Sequence, residues 1–179
     1  MSTPLRHGHS PGQDAAPHRY GPLRLRLTEQ GKHSRLDGAW WPRSRDLDSE
    51  LPELIARLDL EWGRIIDVTV NRRLWPSVPH HVGAGTHTVR LGWFDAEQDP
   101  HVLMLFSYPP GHWELLVVPP ETESEDAARL MAGASRAGNL RTASALVDPA
   151  STDRWGSDRW TGAGPRDWGA EKRATARGR

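Results

Sequence analysis

Three sets of residues in this chain have side chains that could do chemistry. His80, His81 and His87 fall in the run His80-His81-Val82-Gly83-Ala84-Gly85-Thr86-His87. Imidazoles this close together could hold zinc or another divalent ion with an open position. The spacing matches no metal motif and the run contains no carboxylate, so these histidines read first as loop residues facing water. Gly83-Ala84-Gly85 lacks the strand–turn–helix setting of a phosphate loop and reads as a hairpin bend.

The second set is Asp37-Gly38-Ala39-Trp40-Trp41-Pro42-Arg43-Ser44-Arg45-Asp46. Adjacent strand residues point to opposite faces, so Trp40 and Trp41 should part, one into the core and one onto the other sheet face. An arginine beside an indole can stack on it and offer its planar fork to a carboxylate or phosphate. Trp40, Trp41, Arg43 and Asp37 are therefore the candidate ligand-binding residues. Asp37 and Asp46 are placed to pair with Arg43 and Arg45. The competing reading is a structural corner of packed tryptophan, ion pair and helix cap.

The third set is Trp62, Trp75, Trp93 and Trp113, which belong mostly to the core. Were several to line one cavity, it would suit a flat apolar ligand. Catalytic residues cannot be assigned: Ser44, Ser77 and Ser107 lack a nucleophile elbow. The carboxylates cluster at helix starts and turns, where capping and solubility explain them. No cofactor is indicated.

Positioning these residues requires an α+β domain over about 21–149, an antiparallel sheet of five to six strands with two main helices packed on it. Leu23-Arg24-Leu25-Arg26-Leu27 alternates as a half-buried strand, and a second strand runs from about Arg35 to Trp41. A helix follows from about Asp46 to Trp62, with Leu47, Leu51, Leu54, Ile55 and Leu58 on one face, Pro52 in its first turn and Gly63 at its end. Ile65–Val70 is a strand, and Asn71–Thr86 a long loop. Thr88–Phe94, His101–Tyr108 and Trp113–Val118 follow as a meander. Val102-Leu103-Met104-Leu105-Phe106 and Leu115-Leu116-Val117-Val118 are apolar on both faces, so a tail, a loop or a second subunit should cover the second face. Thr122 and Glu125 make a capping box for a helix reaching about Ala137, and Thr142 caps a short helix through Val147.

Outside this domain, residues 1–20 and 150–179 have the composition of disordered tails. The C-terminal one contains the related triplets Asp153-Arg154-Trp155, Asp158-Arg159-Trp160 and Arg166-Asp167-Trp168. The formal charge of zero is unevenly spread: residues 1–35 sum to +4, 36–149 to −7 and 150–179 to +3. An acidic body disfavours a nucleic-acid platform and leaves only weak contact through the basic tails. The absence of cysteine removes disulfides and thiolate sites. No apolar run reaches the roughly 20 residues of a membrane span, and no secretory segment stands at the N-terminus, which points to the cytoplasm. Lys32 and Lys172 are the only lysines, an arginine bias typical of a GC-rich genome.

Asp37-Gly38-Ala39-Trp40-Trp41-Pro42-Arg43-Ser44-Arg45-Asp46-Leu47, then Glu50-Leu51-Pro52 and Leu116-Val117-Val118-Pro119-Pro120-Glu121-Thr122, resemble a family of small actinobacterial proteins catalogued as a domain of unknown function. The resemblance covers about residues 22–148. It implies one small cytoplasmic domain and no assigned activity. The expected function is a small cytoplasmic non-enzymatic ligand- or protein-binding regulatory module, as a homodimer through the second sheet face. The alternatives are a metal-dependent enzyme using the loop histidines and nucleic-acid contact through the tails.

Overall fold

A computed structural model describes residues 21–29, 33–95 and 98–148; the expectations for the two tails lie outside them. Among the described residues, seven strands form one sheet: β1 (Leu25–Leu27), β2 (Gly38–Trp40), β3 (Arg64–Asn71), β4 (His81–Ala84), β5 (His87–Phe94), β6 (Val102–Tyr108) and β7 (Gly111–Val117). Their spatial order is β1-β2-β7-β6-β3-β5-β4. The sheet is mixed, not antiparallel, and larger than expected: β2 runs parallel to β7 and β3 parallel to β5. Two causes account for the difference. Helix α1 (Leu47–Trp62) is a crossover between β2 and β3, and a crossover returns the chain in the same direction. The supposed loop 71–86 contains β4, too short and glycine-broken to read as a strand, which forms a hairpin with β5 through Gly85 at φ 59°. Nor is the C-terminal half of the sheet a meander. β3 inserts between β5 and β6, so of β5, β6 and β7 only the last two pair with each other.

The α1 face holds most of the core. Leu51, Leu54, Ile55 and Leu58 are fully buried against Ile65, Val68, Val89, Leu103, Leu105 and Leu115. Each such aliphatic side chain contributes roughly 1.5–3 kcal/mol on burial. Asp46 caps the helix by accepting from the Asp48 N–H at 3.1 Å and the Ser49 hydroxyl at 2.6 Å. Gly63 closes it at φ 80°. Pro52 lies in the second turn rather than the first, leaving the Asp48 carbonyl without its usual helical donor.

The opposite face is covered by the chain itself over β1, β2 and β7. Helices α2 (Ser124–Ala134) and α3 (Ala143–Val147) set Ala127, Ala134, Ala143 and Leu146 against Leu36, Ala39, Leu116 and Val118. The small residues let α2 approach the sheet closely. α2 is shorter than expected and is not capped by Thr122. The Thr122 N–H closes a turn onto the Pro119 carbonyl, so the helix starts after Glu123, which makes no side-chain cap bond. Thr142 does cap α3, accepting from the Ala145 N–H at 3.1 Å.

Candidate functional site

The corner at Asp37–Asp46 is built of separate structural contacts. The Asp37 carboxylate accepts from the Glu114 N–H at 2.8 Å. Gly38 sits where β1 crosses so closely that a Cβ would lie 2.3 Å from the Arg26 carbonyl oxygen. Ala39 is fully buried beneath α2. Trp40 is 1% exposed on the α1 side and stacks on Trp75 at 5.9 Å, while Trp41 packs on the α2 side. Alternation therefore parts the two indoles.

The arginine that serves the corner is not Arg43. Arg24 lies 3.5 Å over the Trp41 ring, with Nε and Nη2 donating to the carbonyls of Trp41 and Pro42 at 3.0 and 2.6 Å. Burial, and then the nearby Arg43 charge, hold the Arg24 guanidinium below its ordinary pKa. Arg43 is exposed and donates to the Pro22 carbonyl; its own N–H bonds Glu50. Asp37 and Asp46 are engaged as described above, and no ion pair joins either to Arg43 or Arg45 among the described residues. Arg24 escaped the sequence reading because only the register Leu25↔Trp40 brings it to Trp41.

The histidines do not converge. His81 pairs with Arg90 on the exposed side of the β4–β5 hairpin, whereas His87 pairs with Ala84 on the buried side. The His87 Nε2 contacts the Ile65 carbonyl at 2.9 Å, with Asp59 3.8 Å from Nδ1. His80 rests against Trp93. Among the described residues no three His, Asp or Glu side chains are grouped to hold a metal ion. The tryptophans separate as well: Trp62 stacks on Trp113 at 4.5 Å, Trp75 on Trp40, and Trp93 stands half-exposed beside Arg72.

At the carboxyl ends of the parallel strands, Arg45 clamps the Leu74 carbonyl and the Glu121 carboxylate, both at 2.6 Å. Beside it, burial holds the His101 imidazole below its ordinary pKa, and its Nδ1 is buried with no hydrogen-bond partner. The Asp99 carboxylate accepts from the N–H and hydroxyl of Ser144 and ties α3 to the sheet. These contacts hold the rim together.

A further row of side chains lies on the second sheet face, beyond α2 and α3. His112, Phe106, Asp67, Arg90 and His81 stand side by side in register on β7, β6, β3, β5 and β4. His112 and Phe106 rings meet at 5.0 Å, and Arg90 donates to Asp67 at 2.5 Å. His112, Arg90 and His81 are exposed and Phe106 and Asp67 half-buried. One row nearer the helices run Asp37, Glu114, Met104, Thr69 and Gly92. Burial raises the carboxyl pKa of both Asp37 and Glu114; His112 and Arg35 draw that of Glu114 back down. A bulge between Ile65 and Asp67 helps to set this register, and sequence periodicity could not have found the stripe.

Such an arrangement offers an aromatic pair, a fork and carboxylates over roughly 19 Å, four inter-strand spacings. Neither the curated proteins nor the solved structures contain a match to this chain. A family model does match, over residues 24–134, a span that includes the tryptophan corner, the stripe and most of both helix-covered cores. The chain accordingly belongs to the family of unknown function DUF5994.

Proposed function

We propose that the protein is a non-enzymatic binding module and that its recognition surface is the stripe His112–Phe106–Asp67–Arg90–His81, together with Glu114 and Asp37 beside it. The ligand is an extended peptide segment of a partner protein, bearing aromatic and basic side chains. The observation that carries this reading is the register itself, which sets five side chains from five strands in one row, three of them exposed and two half-buried. A sheet face used only for folding would be covered or uniformly polar. Aromatic and arginine side chains supply contact area and directed bonds at interfaces. The carboxylates of Asp37, Asp67 and Glu114 disfavour a phosphate backbone and favour a cationic partner. The unit of residues 21–149, a cytoplasmic setting and an actinobacterial source belong to the same reading; they rest on the cysteine-free, lysine-poor composition and the Asp37–Leu47 stretch.

The test is selection of random displayed peptides on the full chain, followed by titration against Phe106→Ser and Asp67→Lys. We expect enrichment of arginine- and tryptophan-bearing peptides whose affinity falls about tenfold or more in either variant. Peptides that bind both variants as tightly as the parent would overturn the reading. A dimer in light scattering that dissociates in Asp67→Lys would replace the peptide by a second copy.

A further inference from the structure

We propose that the chain's own C-terminal segment, residues 150–179, docks across this stripe and competes there with outside ligands. The inference rests on the reading of the stripe as a recognition surface and adds its regulation.

Four observations carry it. First, the described chain leaves the fold on the correct side: α3 packs on the second face and is tied to Asp99, and Asp148 directly follows it. Second, the segment is long enough to span the stripe. Seven residues separate Asp148 from Trp155, up to about 23 Å of extended chain. Five more lead to Trp160, about 16 Å, comparable with the roughly 19 Å width of the stripe. Third, the chemistry matches. Each triplet at 153–155, 158–160 and 166–168 offers an arginine, an aspartate and an indole. The stripe carries the Asp67–Arg90 ion pair, which an added arginine and aspartate can extend, Glu114 at 3.7 Å from His112, and the Phe106–His112 ring pair for the indoles. Fourth, the charges complement: 150–179 carries +3 and 36–149 carries −7.

Docking in cis makes the segment an intramolecular competitor at an effective concentration in the millimolar range, so weak contacts suffice to mask the stripe. The absence of cysteine makes the chain suited to a direct test. A nitroxide is attached at Ser157→Cys in the full chain, and paramagnetic broadening of the backbone amides is mapped. Broadening is expected to be strongest at Asp67, Thr69, Arg90, Gly92 and Phe106, at every protein concentration, and weaker at Leu54 and Leu58 on the α1 face. It should disappear when Trp155→Gly and Trp160→Gly are added, substitutions outside the described core. The same pair should raise affinity for a selected peptide about tenfold.

No broadening, or broadening centred elsewhere, overturns the inference. So does broadening seen only between labelled and unlabelled chains, which assigns the contact to a second copy. If outside peptides bind the stripe while no broadening is seen, this inference fails and the binding-module reading stands. If broadening is seen but peptides ignore the stripe even after the tail tryptophans are removed, the binding-module reading fails and only the cis contact stands.

Discussion

Asp37 and Glu114 bind each other twice: the Asp37 N–H donates to the Glu114 carbonyl and the Glu114 N–H to the Asp37 carboxylate, both at 2.8 Å. A side chain thus supplies a strand bond just before the parallel β2–β7 pairing begins. Asp37→Ala leaves the Glu114 N–H unpaired, and we expect a loss of about 1–3 kcal/mol in denaturant unfolding.

The same pair has a pH signature. Burial raises both carboxyls, so folding favours their protonated forms. That contribution is present at low pH and fades as pH rises from the ordinary carboxylate values of 3.8 and 4.5 through the raised ones. Glu114→Gln should therefore melt higher than the parent at pH 7, and the difference should shrink toward pH 4. A difference that grows on acidification would contradict the burial account.

His101 works with the opposite slope. Burial lowers its pKa from 6.5, so the folded state prefers the neutral ring. Its contribution is complete above pH 6.5 and is lost as pH falls below that value. In His101→Gln, the decline in melting temperature between pH 6.5 and 5 should be shallower than in the parent.

Gly38 cannot accept a side chain. Its φ is 153°, and a Cβ would meet the Arg26 carbonyl at 2.3 Å and the Leu27 Cα at 2.9 Å. Gly38→Ala should cost about 3 kcal/mol or more, because β1 must move away from β2. Gly83→Ala is the control: nothing lies within 4 Å of its Cβ position, and stability should stay within about 0.5 kcal/mol.

The adjacent tryptophans should separate in a stability assay. Trp40→Ala removes a 1%-exposed indole stacked on Trp75 and should cost about 3–5 kcal/mol. Trp41 is half-buried beneath Arg24, so Trp41→Ala should cost less. Arg24→Ala should lose about 0.5–2 kcal/mol through the lost cation–π contact, whereas Arg43→Ala, exposed, should be close to neutral.

Read alone, the residues of α1 were sufficient to place its apolar face, its Asp46 cap and its Gly63 stop. The alternation at Trp40–Trp41 likewise separated the two indoles before any partner was known. These are local properties, set by where each Cβ points relative to its neighbours in the chain. Thr122 shows where a local signal loses: its capping pattern is sound, but the Pro119–Pro120 turn takes its backbone N–H first.

Only the tertiary structure decided which strand lies beside which. The α1 crossover and the insertion of β3 between β5 and β6 turn an expected antiparallel sheet into a mixed one. Strand pairing also brings Arg24 to Trp41 across β1–β2, Asp37 to Glu114 across β2–β7, and His112, Phe106, Asp67, Arg90 and His81 into one row. Residues this far apart in the chain share no periodicity that could announce their meeting. Strand partners and register follow from long-range closure and from burying both sheet faces together, and so the stripe exists only once the whole sheet has formed.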